Sequence, residues 1–134
     1  MKLKILLKNY TIRYNKIFFK FKYIYIYNMS KIVACIPARY GSYRLPGKPL
    51  LDIYGKSMIR RTYEQVKKCK NIEDIIILTD SKIIYEHVLT FNAKCIIIRE
   101  DCLNGTERIC HALSKIPNEY NYIINIHGDE PFIN

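Results

Sequence analysis

A chain of 134 residues has room for one compact domain. Hydrophobic residues at 49% and charged residues at 25% exclude a disordered segment. The formal charge of +10 points toward nucleic acid only until its distribution is read: residues 1–28 hold seven of the 22 basic residues and no acidic ones, leaving 15 basic against 12 acidic over the rest. A body this mildly basic suits a polyphosphate site, so neither nucleic acid nor a membrane is expected as its partner.

Residues 1–28 form a basic, aromatic extension. Its apolar stretch from Ile17 to Tyr27 is broken by Lys20 and Lys22 and is too short to span a bilayer. No signal-peptide pattern is present. Alternation through Phe19 to Tyr23 leaves an added edge strand open, and a membrane-surface or nucleic-acid arm is a further reading. The preferred reading is translated upstream sequence. Its Lys, Asn, Ile, Tyr and Phe are what AT-rich codons spell, and Met29 stands two residues before the first expected strand. The domain is therefore expected over 29–134.

Within that body, short Ile- and Val-rich runs at 31–37, 74–79, 93–98 and 122–126 have the length of buried strands. Helical spacing separates them. One helix starts after Ser57, a natural N-cap, and runs through Ile59, Tyr63, Val66 and Cys69, closed by lysines. A second starts near Ser81 and continues through Ile84, Val88 and Phe91. A third runs from about Thr106 to Leu113, ahead of Pro117. Strands alternating with helices predict an α/β sandwich with a mostly parallel sheet, truncated after the fourth expected strand. Five cysteines show neither a C-x-x-C pair nor zinc spacing; their odd number and the missing secretory signal imply reduced thiols in a cytoplasmic setting. Cys35 and Cys95, inside apolar runs, are expected to be structural.

The loop after the first strand carries the most information. Ile36-Pro37-Ala38-Arg39-Tyr40-Gly41-Ser42-Tyr43-Arg44-Leu45-Pro46-Gly47-Lys48-Pro49-Leu50 places two glycines and three cations beside a strand end. Glycine lets backbone amides approach phosphate oxygens, and arginine and lysine neutralise their charge. It is not a P-loop: five residues separate Gly41 from Gly47 where four are required, and Pro49 replaces the metal-binding Ser or Thr. Composition alone leaves phosphate binding and a solvated basic turn both open.

The same loop closely resembles the N-terminal signature of the 3-deoxy-manno-octulosonate (KDO) cytidylyltransferases, or CMP-KDO synthetases. Four further segments extend the resemblance in order: Asp52-Ile53-Tyr54-Gly55-Lys56-Ser57-Met58-Ile59, Thr79-Asp80, Asn104-Gly105-Thr106-Glu107-Arg108, and Asn125-Ile126-His127-Gly128-Asp129-Glu130-Pro131. The resemblance covers residues 31–134, less than half of a full-length family member. It implies a Rossmann-like nucleotidyltransferase sandwich and a Mg²⁺-dependent reaction in which the KDO hydroxyl attacks the α-phosphate of CTP, giving CMP-KDO and pyrophosphate for lipopolysaccharide-type glycans. The Leu45-to-Leu50 and Gly128-to-Pro131 runs favour the KDO branch over relatives that activate sialic acid. A catalytically silent remnant that still binds CTP, or a related CMP-sugar-acid synthetase, is the alternative.

By position in that family, Arg39 and Lys48 are expected to grip the CTP phosphates, with Ala38 beside them and Arg44 a weaker candidate. Asp129 is the expected Mg²⁺ ligand, a hard carboxylate oxygen for a hard cation, and Gly128 is expected to allow close approach of chain and ligand. Arg99, Gly105 and Thr106 are implied near the cytosine, although a helix N-cap at Asn104 or Thr106 explains the same loop equally well. His127 stands where the family has Gln, which leaves open a nucleotide contact or a packed imidazole. The family's second metal-binding Asp, its KDO-binding residues and most of its homodimer surface belong to a C-terminal half that these residues do not include.

Overall fold

The structure, a computed structural model, describes residues 31–42 and 45–133. The expectations for residues 1–28 and for Arg44 lie outside the described residues.

Among the described residues six strands, three α-helices and two 3₁₀ turns follow one another. Strand β1 spans Ile32–Ala38; a 3₁₀ turn at Lys48–Leu50 leads into the two-residue strands β2 (Asp52–Ile53) and β3 (Lys56–Ser57), then helix α1 (Met58–Val66). Next come β4 (Asp74–Thr79), α2 (Lys82–Leu89), β5 (Lys94–Ile97), α3 (Gly105–Ala112), a 3₁₀ turn at Leu113–Lys115, and β6 (Tyr122–Asn125).

The four longer strands form one sheet in the order β5-β4-β1-β6, every neighbouring pair parallel. Each is apolar on both faces, and alternate residues feed separate cores. Ala34, Ile36, Ile75, Ile77 and Ile124 pack with Ile59 and Val66 of α1 and Ile84 and Val88 of α2. Val33, Cys35, Ile76 and Leu78 pack with Ile109 and Ala112 of α3 on the other face. The sheet therefore grows outward from β1 through β4 to β5 with helices on one face. It then returns across the opposite face through α3 to place β6 on the other side of β1. Right-handed crossovers produce this doubly wound arrangement, and it opens a crevice between β1 and β6 at the carboxyl ends of the strands.

The expected helices are present, the first two of them shorter. Helix α1 stops at Val66 rather than Cys69, and α2 at Leu89 rather than Phe91. Ser57 and Ser81 cap them, accepting hydrogen bonds from the Arg60 and Ile84 amides. The hairpin of β2 and β3 is absent from the sequence reading. Its two turn residues both have positive φ, 51° at Tyr54 and 79° at Gly55, as a mirror-image two-residue turn demands. Arg61 donates from Nη2 to the Tyr54 carbonyl at 2.7 Å and from Nε to the Ile53 carbonyl, which fastens the hairpin to α1. Among the described residues no helix is long and apolar enough to cross a membrane.

Candidate active site

A cleft of about 390 Å³ opens at the β1/β6 crevice, where an α/β sheet of this winding binds its ligands. Strand β1 delivers Ala38 and Arg39 to one wall, and the residues after β6 deliver His127, Gly128 and Asp129 to the other. The first 3₁₀ turn brings in Lys48, and the start of α3 contributes Gly105 and Thr106. Eight of the residues expected at the site thus line one cavity. Arg99 does not. It lines an adjoining cleft of about 220 Å³ that shares Arg39 and Arg108 with the first.

Lys48 reaches its place through local backbone geometry. Gly47 adopts φ 71°, in the left-handed region that glycine tolerates, and starts the 3₁₀ turn; buried Pro49 anchors the turn against the body. The Lys48 ammonium then meets Asp129 Oδ2 at 2.7 Å across 81 residues of chain. That hydrogen bond holds the Asp129 carboxyl below its ordinary range, with partial burial opposing it. Both side chains are half-exposed, so an entering anion can compete for the ammonium. Arg39 is exposed at the end of β1 and makes no ion pair among the described residues.

Gly128, in the cleft wall, is also where two stretches of chain approach closely. A Cβ there would lie 2.9 Å from the Pro37 carbonyl oxygen, while the Gly128 carbonyl accepts the Thr62 hydroxyl at 3.2 Å. This packing draws the β6 turn over β1 and fixes where Asp129 emerges. Gly105 is likewise constrained, since a Cβ would meet the Pro37 ring at 3.1 Å. At the start of α3 the cap is Asn104, not Thr106. Asn104 Oδ1 accepts the Glu107 amide at 2.9 Å, and Glu107 Oε2 reaches back to the Leu103 amide at 2.6 Å. This is a capping box displaced by one residue. Thr106 lies inside the helix, its Oγ1 accepting from Asn125 Nδ2 at 3.4 Å. His127 is exposed in the cleft wall, which removes the packed-imidazole reading.

Asp80 and Arg108, quoted in the motifs but given no role, form an ion pair at 2.8 Å. Arg108 is the buried arginine of the site, its side chain 4% exposed. Nothing in their spacing of 28 residues signals contact; the only clue was a charged residue at a helix position that faces the core.

The cleft's chemistry is that of an anion site with a carboxylate at its edge. Among the described residues no group of three or more His, Cys, Asp or Glu could hold a metal, so Asp129 offers a single carboxylate. Mg²⁺ accepts one protein carboxylate when substrate phosphates and water complete its shell, and the cations beside Asp129 fit such a substrate.

Comparison with known proteins agrees with this fold and cleft. The family described as Cytidylyltransferase matches residues 33–134. A 3-deoxy-manno-octulosonate cytidylyltransferase from Chlamydia felis is 45% identical over 102 residues, covering 76% of this chain and 40% of that protein. The mitochondrial 3-deoxy-manno-octulosonate cytidylyltransferase of Arabidopsis thaliana is 46% identical over 104 residues, covering 78% and 36%. The chain thus spans about two-fifths of the length of the curated relatives it matches. The solved structure of a CMP:2-keto-3-deoxy-manno-octonic acid synthetase complexed with CTP superposes with a TM-score of 0.74 at 44% identity, covering 78% of this chain and 43% of that one. A cytidylyltransferase from Leptospira borgpetersenii shares the fold at a TM-score of 0.65 and 24% identity, covering 79% and 44%. A match that runs from β1 through the cation-bearing loop to the turn after β6 agrees with the winding of the sheet, and the chain belongs to the cytidylyltransferase family.

Proposed function

We propose that this chain forms the CTP-binding part of a cytidylyltransferase that joins CMP to a KDO-like 2-keto sugar acid. The observation that carries the reading is the Lys48–Asp129 pair bridging two sides of the switch-point cleft beside Arg39. The names of the relatives supply the acceptor, 3-deoxy-manno-octulosonate; transfer of CMP to it from CTP would give CMP-KDO and pyrophosphate.

Entry of the triphosphate gives the Lys48 ammonium a stronger acceptor than a half-exposed carboxylate. Lys48 then turns from Asp129 to a phosphate oxygen, and Arg39 neutralises charge from the β1 side. Negative charge builds on phosphate oxygens as the acceptor hydroxyl attacks the α-phosphate, so fixed cations stabilise the transition state more than the bound substrate. Asp129, released from Lys48, would be the residue that holds Mg²⁺. When bound, the ion supplies charge neutralisation at the transferred and leaving phosphate groups. Gly105, Thr106 and His127 line the remaining wall, where the nucleoside would lie, and Arg99 would contact it only from the adjoining cleft. We infer a reduced, cytoplasmic setting from the five cysteines, none of them paired in the structure.

Titration with CTP, followed by pyrophosphate release in the presence of KDO and Mg²⁺, tests this reading. Micromolar CTP binding with turnover is expected of an active chain. Binding without turnover assigns the chemistry to residues beyond these, and absence of CTP binding refutes the reading.

A further inference from the structure

Asp80 ties together loops that the proposed reaction uses, yet it touches neither Lys48 nor Asp129. Its Oδ1 accepts the Tyr40 amide at 3.1 Å, and its Oδ2 accepts Arg108 Nη2 at 2.8 Å. Arg108 is anchored in turn, with Nη1 donating to the Ile98 carbonyl at 3.4 Å. The Tyr40 peptide carries the constraint onward: its carbonyl accepts the Gly47 amide at 2.9 Å, and its ring lies where a Cβ on Gly47 would meet it at 3.4 Å. Arg39 immediately precedes Tyr40, and Lys48 immediately follows Gly47. One carboxylate thus begins a hydrogen-bonded path that sets the separation of Arg39 and Lys48.

Fold stability is a poor account of this arrangement. Taking a guanidinium out of water costs nearly as much as its ion pair returns, and an apolar residue of similar size often serves a core better. The pair also sits at the carboxyl ends of the strands, with Arg108 on the wall of both clefts.

We propose that Asp80, held by Arg108, is a positioning residue that presents Arg39 and Lys48 to the phosphates of one nucleotide. The proposal rests on the cytidylyltransferase reading above. Its role is to fix geometry before the ligand arrives, so its loss is felt by phosphate groups and not by the nucleoside.

The test measures affinity of the full chain for CTP, inorganic tripolyphosphate and cytidine, with amide hydrogen exchange at Tyr40 and Gly47. Asp80→Ala is expected to weaken CTP and tripolyphosphate by about tenfold or more, to leave cytidine within about twofold, and to speed exchange at both amides. Asp80→Asn keeps an oxygen acceptor for the Tyr40 amide and is expected to recover most of the phosphate affinity. Should Asp80→Ala not fold, Arg108→Lys, which keeps the charge but loses the planar fork, reads the same contact from the other side with the same selective loss. Unchanged CTP affinity, or an equal loss for cytidine, overturns the positioning role and leaves the functional reading standing. A wild-type chain that binds neither CTP nor tripolyphosphate overturns that reading, and the positioning role with it.

Discussion

Replacing Lys48 with alanine separates the ammonium's contribution to binding from its contribution to folding. In the ligand-free protein it meets Asp129 at 2.7 Å, with side-chain exposures of 36% and 51%. An ion pair this exposed contributes about 0–1 kcal/mol to stability, and Asp129 left alone remains hydrated. A charged hydrogen bond to phosphate in the cleft is worth about 1.5–3 kcal/mol, which corresponds to roughly 10- to 150-fold in dissociation constant. Lys48→Ala should therefore weaken CTP by that factor while shifting the unfolding free energy by less than about 1 kcal/mol. Calorimetric titration with CTP and with cytidine, at one ionic strength, reads the first quantity; urea denaturation reads the second. CTP affinity within twofold of wild type would refute the assignment of Lys48 to the phosphates. A parallel loss for cytidine would show that the substitution disturbs the cleft as a whole.

Three other outcomes follow from the same geometry. Asp129→Asn releases Lys48 and removes the hard oxygen, so Mg²⁺ should cease to tighten CTP binding while Mg²⁺-free binding holds or improves; a persistent Mg²⁺ enhancement would contradict this. Gly128→Ala drives a methyl to 2.9 Å from the Pro37 carbonyl, a backbone atom that cannot swing aside. The expected destabilisation by denaturant is about 1–3 kcal/mol, and a loss below about 0.5 kcal/mol would show that the turn yields freely. His87 is bonded to Ser57 Oγ at 2.6 Å beside Arg60 and Phe91, and its pKa is lowered from 6.5, chiefly by burial and then by Arg60. The unfolded chain takes up the proton more readily. The contribution of neutral His87 is thus complete above 6.5 and is lost as pH falls through the lower folded value. Urea midpoints across mildly acidic to neutral pH should fall on acidification, and His87→Gln should flatten that fall.

Where the sequence could be read, one physical signal dominated: runs of Ile and Val too short for helices and too apolar for surface strands. Asp74–Thr79 matches its expected bounds because every residue after Asp74 is buried on one face of the sheet or the other. Helix starts were legible for a similar reason, since Ser57, Ser81 and Asn104 act through backbone amides three residues away. Features set by distant contacts were not legible. The β2–β3 hairpin has too few residues for any period to register, and its Tyr54, 93% exposed, takes a positive φ that its side chain does not favour. The Asp80–Arg108 pair exists only because the sheet order brings the end of β4 against α3. The packing constraint on Gly128 was not legible because its partner is the Pro37 backbone on a strand far away in sequence. Arg99, placed with Gly105 and Thr106 by the family resemblance, lines the adjoining cleft.

The central claim concerns where a nucleoside triphosphate sits, and a crystal structure of the chain with CTP and Mg²⁺ tests it most directly. The account predicts the triphosphate between Arg39 and Lys48 at the β1/β6 crevice, with the Lys48 ammonium moved from Asp129 to phosphate and Asp129 on the metal. A triphosphate bound elsewhere, with the Lys48–Asp129 pair intact, would contradict it.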